Sequence, residues 1–117
     1  MDFIDYSSKD IIMDFMEKRK VFISMPMQGL DISEINKKKD EILEKLGKDE
    51  YRDVSRFPEG FSLQDEYETP DLVWLGMSLQ YMADADCVYF ADGWHRARGC
   101  RIEHECALRY GVQIIHD

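Results

Sequence analysis

A chain of 117 residues is long enough for one hydrophobic core and excludes two independent ones. With 44% hydrophobic and 33% charged residues the composition is ordinary for a globular domain, and a formal net charge of −9 excludes general affinity for nucleic acid or anionic membrane. Cys87, Cys100 and Cys106 are an odd set without metal-ligand spacing, which predicts reduced thiols in a cytoplasmic protein.

The start, Met1-Asp2-Phe3-Ile4-Asp5, lacks a basic region followed by an apolar one, and no run approaches the roughly 18 apolar residues of a membrane span. Residues 7–19 read as a short amphipathic helix, with Ser7 as cap, Asp10 in the first turn, and Ile11, Ile12, Phe15 and Met16 along one side. Residues 1–19 thus form a helical extension ahead of a single α/β domain over 20–117. Val21-Phe22-Ile23-Ser24 is a strand, and Met25-Pro26-Met27-Gln28-Gly29 a loop, since Pro26 interrupts pairing and Gly29 permits a tight turn.

A second helix covers 31–46, capped by Asp31 or Ser33 and stopped by Gly47. Its apolar stripe is Ile35, Ile42, Leu43 and Leu46; Lys37, Lys38, Lys39, Asp40, Glu41, Glu44 and Lys45 are expected on a solvated face. Tyr51 to Phe57 holds a brief strand, and Pro58 to Pro70 a long acidic loop of the kind that closes over something or stays mobile. Pro70 opens a third helix with Thr69 as cap and Leu72, Leu75, Leu79 and Met82 as buried stripe. Asp86–Phe90 is the best strand in the chain. A helix from about Cys100 to Tyr110, stopped by Gly111, and a strand Val112–Ile115 complete the pattern. Strands alternating with helices call for right-handed crossovers: an α/β, small Rossmann- or flavodoxin-like three-layer sandwich with a mostly parallel four- or five-stranded sheet.

Ligands of such sheets sit beyond the carboxyl ends of the strands, which selects Met25–Gly29 and Ala91–Arg101. Arg96, Arg98 and Arg101 crowd one short segment of an acidic protein. Guanidinium forks and a helix N-terminus both suit phosphate, although the arginines could equally pair with the acidic loop or another subunit. Glu103 and Asp92 are two carboxylates at different depths, a pattern suited to covalent glycosyl transfer, in which one attacks an anomeric carbon while another group manages the leaving base. His95 and His104 are candidate proton shuttles or metal ligands. Glu103 and His104 are adjacent and point about 100° apart, poor for two ligands of one ion, and although Cys100 shares a face with His104 no HExxH or paired CxxC element supports a structural zinc site; glycosyl transfer needs neither metal nor organic cofactor. Trp94 and Trp74 could stack on a base, with Trp74 better placed for the core. Met25 and Met27 could line a pocket or simply pack.

The chain resembles the nucleoside 2-deoxyribosyltransferases and related nucleotide N-hydrolases, particularly their small, often phage-associated members. The resemblance covers most of 20–117 and rests on two blocks. One is Val21 to Gly29; the other is a strand ending at an acidic residue, followed by Gly99, Glu103, Ala107 and Gly111 at successive spacings of four. It implies that Glu103 is the nucleophile toward C1′ of a deoxyribose and that Asp92 helps handle the base. Phe22 stands where some members carry an aromatic residue that orients the nucleophile, here without a hydroxyl. By the same resemblance Met25, Pro26, Met27, Gln28 and Gly29, together with Gly99, Cys100 and Arg101, cradle the 5′-phosphate; Ser24, Gly93, Trp94, Arg96 and Arg98 are the further substrate-binding candidates beside them, Trp94 to Arg98 being an insertion more basic than a simple nucleoside site requires. Glu105 departs from the small residue usual in the family and puts a second carboxylate near the first. The implied function is cleavage or transfer at the N-glycosidic bond of a 2′-deoxynucleoside or its 5′-monophosphate, the implied partner that small molecule, and the implied assembly a homo-oligomer. The alternative is a nucleotide-binding or sensor protein without turnover, or a structural oligomer.

Overall fold

The computed structural model describes residues 17–58, 61–63 and 66–117. Most of the helix expected over 7–19 lies outside them, and Arg19 already belongs to the first strand. The elements run β1 (Arg19–Ser24), α1 (Ile32–Leu46), β2 (Tyr51–Asp53), α2 (Pro70–Ala83), β3 (Cys87–Phe90), a 3-10 turn (Trp94–Arg96), α3 (Arg98–Arg109) and β4 (Gln113–His116).

The four strands form one sheet in the order β2-β1-β3-β4, every pair parallel. Alternation along the strands sends side chains to two faces. Val21, Ile23, Met25, Cys87 and Tyr89 pack with Ile35 of α1, while Phe22, Val88 and Phe90 pack with Met82 of α2 and Ala107 of α3. One helix therefore covers one face and two cover the other, the expected three-layer sandwich. Because α1 leads outward from β1 to β2 and α2 crosses back to β3, the chain reverses direction between β1 and β3. At their carboxyl ends such a reversal leaves a crevice.

Local chemistry explains the helix ends. Asp31 accepts from the Glu34 backbone N–H at 2.8 Å while the Glu34 carboxylate accepts from the Asp31 N–H, a full capping box, and Gly47 ends α1 at φ 112°. Pro70 opens α2 as expected, but Thr69 makes no side-chain cap bond; its carbonyl accepts from the Leu72 N–H instead. Two burial expectations fail. Leu72 is 64% exposed, and its place in the buried stripe of α2 is taken by Ser78, one turn before Met82. Lys39, expected on the solvated face of α1, is 1% exposed because it lies four residues after Ile35 and four before Leu43, on the apolar stripe itself.

Candidate functional site

β1 ends at Ser24, paired in register with Phe90 at the end of β3. Ser24 points to the α2–α3 face, where its hydroxyl donates to Glu103 Oε1 at 2.6 Å, both side chains being buried. Glu103 projects from the second turn of α3, and Ser78 of α2 also hydrogen-bonds its carboxyl. Burial raises the Glu103 pKa above the ordinary carboxylate value; the two serine hydroxyls and the Lys39 charge pull it back down. Cys100, one turn earlier on the same helix, is pushed up to about 11, by burial first and by the Glu103 charge as well, so it remains a thiol at neutral pH.

Lys39 comes to this cluster from α1. Its ammonium donates to the Ser55 carbonyl at 2.6 Å, just beyond β2, and stands 5.5 Å from the centre of the Phe57 ring. Phe57 in turn meets Trp74 and Tyr81 of α2 edge-on and tilted, at 4.7 and 5.4 Å, and Trp74 also meets Phe61. Trp74 is therefore a packing residue. Desolvation lowers the Lys39 pKa to about 8, against the raising charges of Asp53 and Glu103. Asp53 accepts from the Ser55 N–H and hydroxyl and from Arg56 Nε, and the far end of Arg56 pairs with Asp40.

The other expected site residues fall around this centre. Phe22 is core, on the same face of β1 as Ser24. Met25, Pro26 and Gln28 line a cleft of about 550 Å³ on the α1 side of the same sheet edge, with Leu30, Lys38, Glu41, Ile42, Lys45, Tyr89, Ala91, Asp92 and Asp117. Met27 packs against the core and Gly29 turns the loop at φ 81°. Asp92 is exposed at the cleft, and its backbone N–H donates to the Asp117 carboxylate, which also pairs with Lys45 and accepts from the Tyr89 hydroxyl. Glu103 is not among the residues lining this cleft, so the two carboxylates expected to share a cavity flank the end of β1 from opposite sides of the sheet.

The basic segment is more occupied than its sequence suggests. Arg98 pairs with Asp71 of α2 at 3.1 Å, an exposed bridge, while Arg96 and Arg101 are exposed. Gly93 holds φ 84°, and a Cβ there would stand 3.5 Å from Arg96 Nη2 and 3.6 Å from Pro26 Cγ, so the two candidate loops touch at this point. Trp94 stacks on His104 at 4.1 Å and 12° between planes, with His116 stacked beyond. Gly99 lies in the first turn of α3. Glu105 turns away from Glu103 and is neutralised by Arg109 at 2.7 Å, so the feared repulsion between the two carboxylates does not arise. Lys39, Ser78 and Ser55 are the central residues that sequence reasoning missed; for Lys39 and Ser78 the signal was a polar residue placed on an apolar helical stripe.

Among the described residues no group of three or more His, Cys, Asp or Glu side chains is arranged to hold a metal ion, and no helix is long and apolar enough to cross a membrane. The architecture is compatible with nucleotide-binding enzyme superfamilies. Comparison with curated proteins and with solved structures finds no match. Residues 19–116 match the family described as Domain of unknown function (DUF4406), and the chain belongs to that family.

Proposed function

We propose that this protein cleaves or transfers at the N-glycosidic bond of a 2′-deoxynucleoside or its 5′-monophosphate, with Glu103 as nucleophile. One observation carries the reading: a buried glutamate stands beyond the carboxyl end of a parallel sheet, at its switch point, held by the last residue of β1 through the 2.6 Å bond from Ser24. A carboxylate fixed in this way is preorganised for attack. Its oxygen forms an ester to C1′ as the C1′–N bond breaks, and the electron pair leaves with the base, which takes up a proton from solvent, Asp92 lying on the other side of the sheet. Water then opens the ester in a hydrolase and a second base in a transferase. No metal or organic cofactor enters this chemistry. Gln28, Pro26 and the exposed Arg96 and Arg101 are the groups available to the rest of the substrate, and the three free cysteines fit a reducing, cytosolic setting.

The test is base release from a panel of deoxynucleosides and their 5′-monophosphates, with and without an acceptor base, for the native protein and Glu103→Gln. Release that falls at least about 100-fold in the variant, with the fold retained, is the expected result. Release at an unchanged rate would overturn the mechanism. A second reading, nucleotide binding without turnover, is favoured by the separation of Asp92 from Glu103 and by the 5% exposure of Glu103. It predicts saturable nucleotide binding with no base released from any panel member.

A further inference from the structure

An aromatic cluster that the proposed chemistry does not use joins β3, β4, α3 and the 3-10 turn between β3 and α3. His104 of α3 and His116 of β4 bring their Nε2 atoms to 3.2 Å. Their ring centres stand 5.3 Å apart with 19° between planes. That separation is close to the nitrogen–nitrogen distance plus the radius of each ring, so the rings meet edge to edge with their Nε2 atoms aimed at one another. A metal ion held in line between them would need about 4 Å, twice a zinc–imidazole bond of about 2.0 Å. The gap suits a proton instead, one ring donating Nε2–H and the other accepting. The Trp94 indole lies flat across both rings, 4.1 Å and 12° from His104 and 5.6 Å and 17° from His116, and Phe90 packs on all three.

We propose that the His104–His116 pair is an acid-sensitive latch, which pins Trp94 and the segment from Asp92 to Arg96 until a second proton enters the pair. A first added proton goes to an outer Nδ1, where the N–H···N bond survives and the indole face favours the charge. A second leaves both Nε2 atoms as donors without an acceptor and sets two imidazolium charges side by side. The rings then part, and the indole loses the platform it lies on. His116 is exposed and His104 half-buried, so protons reach the pair without unfolding. The neighbouring charges are engaged elsewhere or open to water. On α3, Arg109 holds Glu105, Cys100 stays a thiol and Arg101 is exposed; on the turn, His95 is exposed and Arg96 reaches toward Gly93. Beyond β4, Asp117 pairs with Lys45 and accepts from Tyr89, and β3 brings only Phe90 against the rings. Burial first, then His116, holds the His104 pKa below its ordinary value, with Glu105 opposing. The pinned segment carries Asp92 into the cleft and sets Gly93 against Pro26 of the facing loop.

NMR titration of the native protein from about pH 8 to 4 tests this, reading the histidine rings by ¹⁵N shifts and the stacks by NOEs. The pair should take up its protons in two steps about one pH unit or more apart, a tenfold difference in affinity. NOEs between the Trp94 indole and the His104 ring should vanish along the lower step, while those between Trp74 and Phe57 persist. In His116→Gln, which keeps an amide beside His104 and takes up no proton, His104 should titrate in one step at a higher pH, with the Trp94 NOEs retained throughout. Independent titration of the two rings, or Trp94 NOEs that survive the lower step, would overturn the latch. So would loss of the Trp74–Phe57 NOEs at the same pH, which is global unfolding, or an unaltered loss of the Trp94 NOEs in His116→Gln. If that variant does not fold, the native titration decides alone. None of these readouts needs a substrate, so the result is independent of the role proposed for Glu103.

Discussion

At the scale of single residues, the site depends on polar side chains placed where packing alone would favour apolar ones. Lys39 makes this measurable. Its folded pKa of about 8 lies below the ordinary lysine value of 10.5, and desolvation is the chief cause. Between those two values the unfolded chain holds more protons than the folded one, so stability rises with pH across that window, by roughly 3 kcal/mol at most. Below pH 8 the lysine is charged in both states and its contribution is flat. Urea denaturation of the native protein and of Lys39→Met at pH 7.5 and 10 should show the native protein gaining on the variant at the higher pH. Equal differences at both pH values would mean that Lys39 is not desolvated. This residue also shows where sequence reading stops: Lys37, Lys38 and Lys39 look alike in composition, and only their angle around α1 separates two exposed lysines from a buried one. Glu103 and Ser24 stood out in the sequence because each adjoins a strand or helix end. Their hydrogen bond did not, since it joins residues 79 apart.

At the scale of elements, strands and helices were legible to within a few residues because their signals are local. Asp31, Gly47, Pro70 and Gly111 mark boundaries by backbone chemistry that needs no tertiary context. What local signals could not give is which apolar residues stay outside: α2 is apolar nearly all round, so Leu72 could not be distinguished from Leu79. Nor did they show that Trp94 would be committed to a stack with His104 and His116, whose Nε2 atoms stand 3.2 Å apart. Burial, and the neighbouring His116, hold the His104 pKa below the ordinary value of 6.5, against the opposing charge of Glu105. The stabilisation tied to neutral His104 is therefore complete above about pH 6.5 and is lost as pH falls from there toward the folded value. Thermal unfolding followed by tryptophan fluorescence should show a larger drop in Tm between pH 7.5 and 5 for the native protein than for His104→Phe, which keeps a ring and loses the titration. Identical drops would remove His104 from the explanation.

For the whole molecule, alternating strands and helices made the three-layer architecture readable, since parallel pairing and right-handed crossovers leave few other arrangements. The assembly is a separate matter. Leu72 on α2 and Ile102 and Leu108 on α3 are 64%, 39% and 59% exposed, and both helices cover the same side of the sheet. If the homo-oligomer that the family resemblance implies forms through this side, these are the side chains it would bury. Sedimentation velocity should resolve a species larger than the monomer for the native protein and a monomer for Leu72→Lys combined with Ile102→Lys, with Tm otherwise little changed because neither side chain is part of the core. A native monomer at all concentrations would dispose of the idea.

The all-parallel ladder has a kinetic consequence. No strand can find its neighbour through a tight hairpin: β1 must wait for β2 across α1, and for β3, where the Lys20 N–H meets Asp86 at a separation of 66 residues. Loop closure is thus charged before any long-range pairing rewards it, which places the domain among slow folders of high contact order. The Ser24–Glu103 contact has a longer separation still, and it needs β1, β3 and α3 already in place. Glu103 can therefore leave water only after β1 and α3 have met, whereas Lys39 reaches its Ser55 carbonyl across only 16 residues.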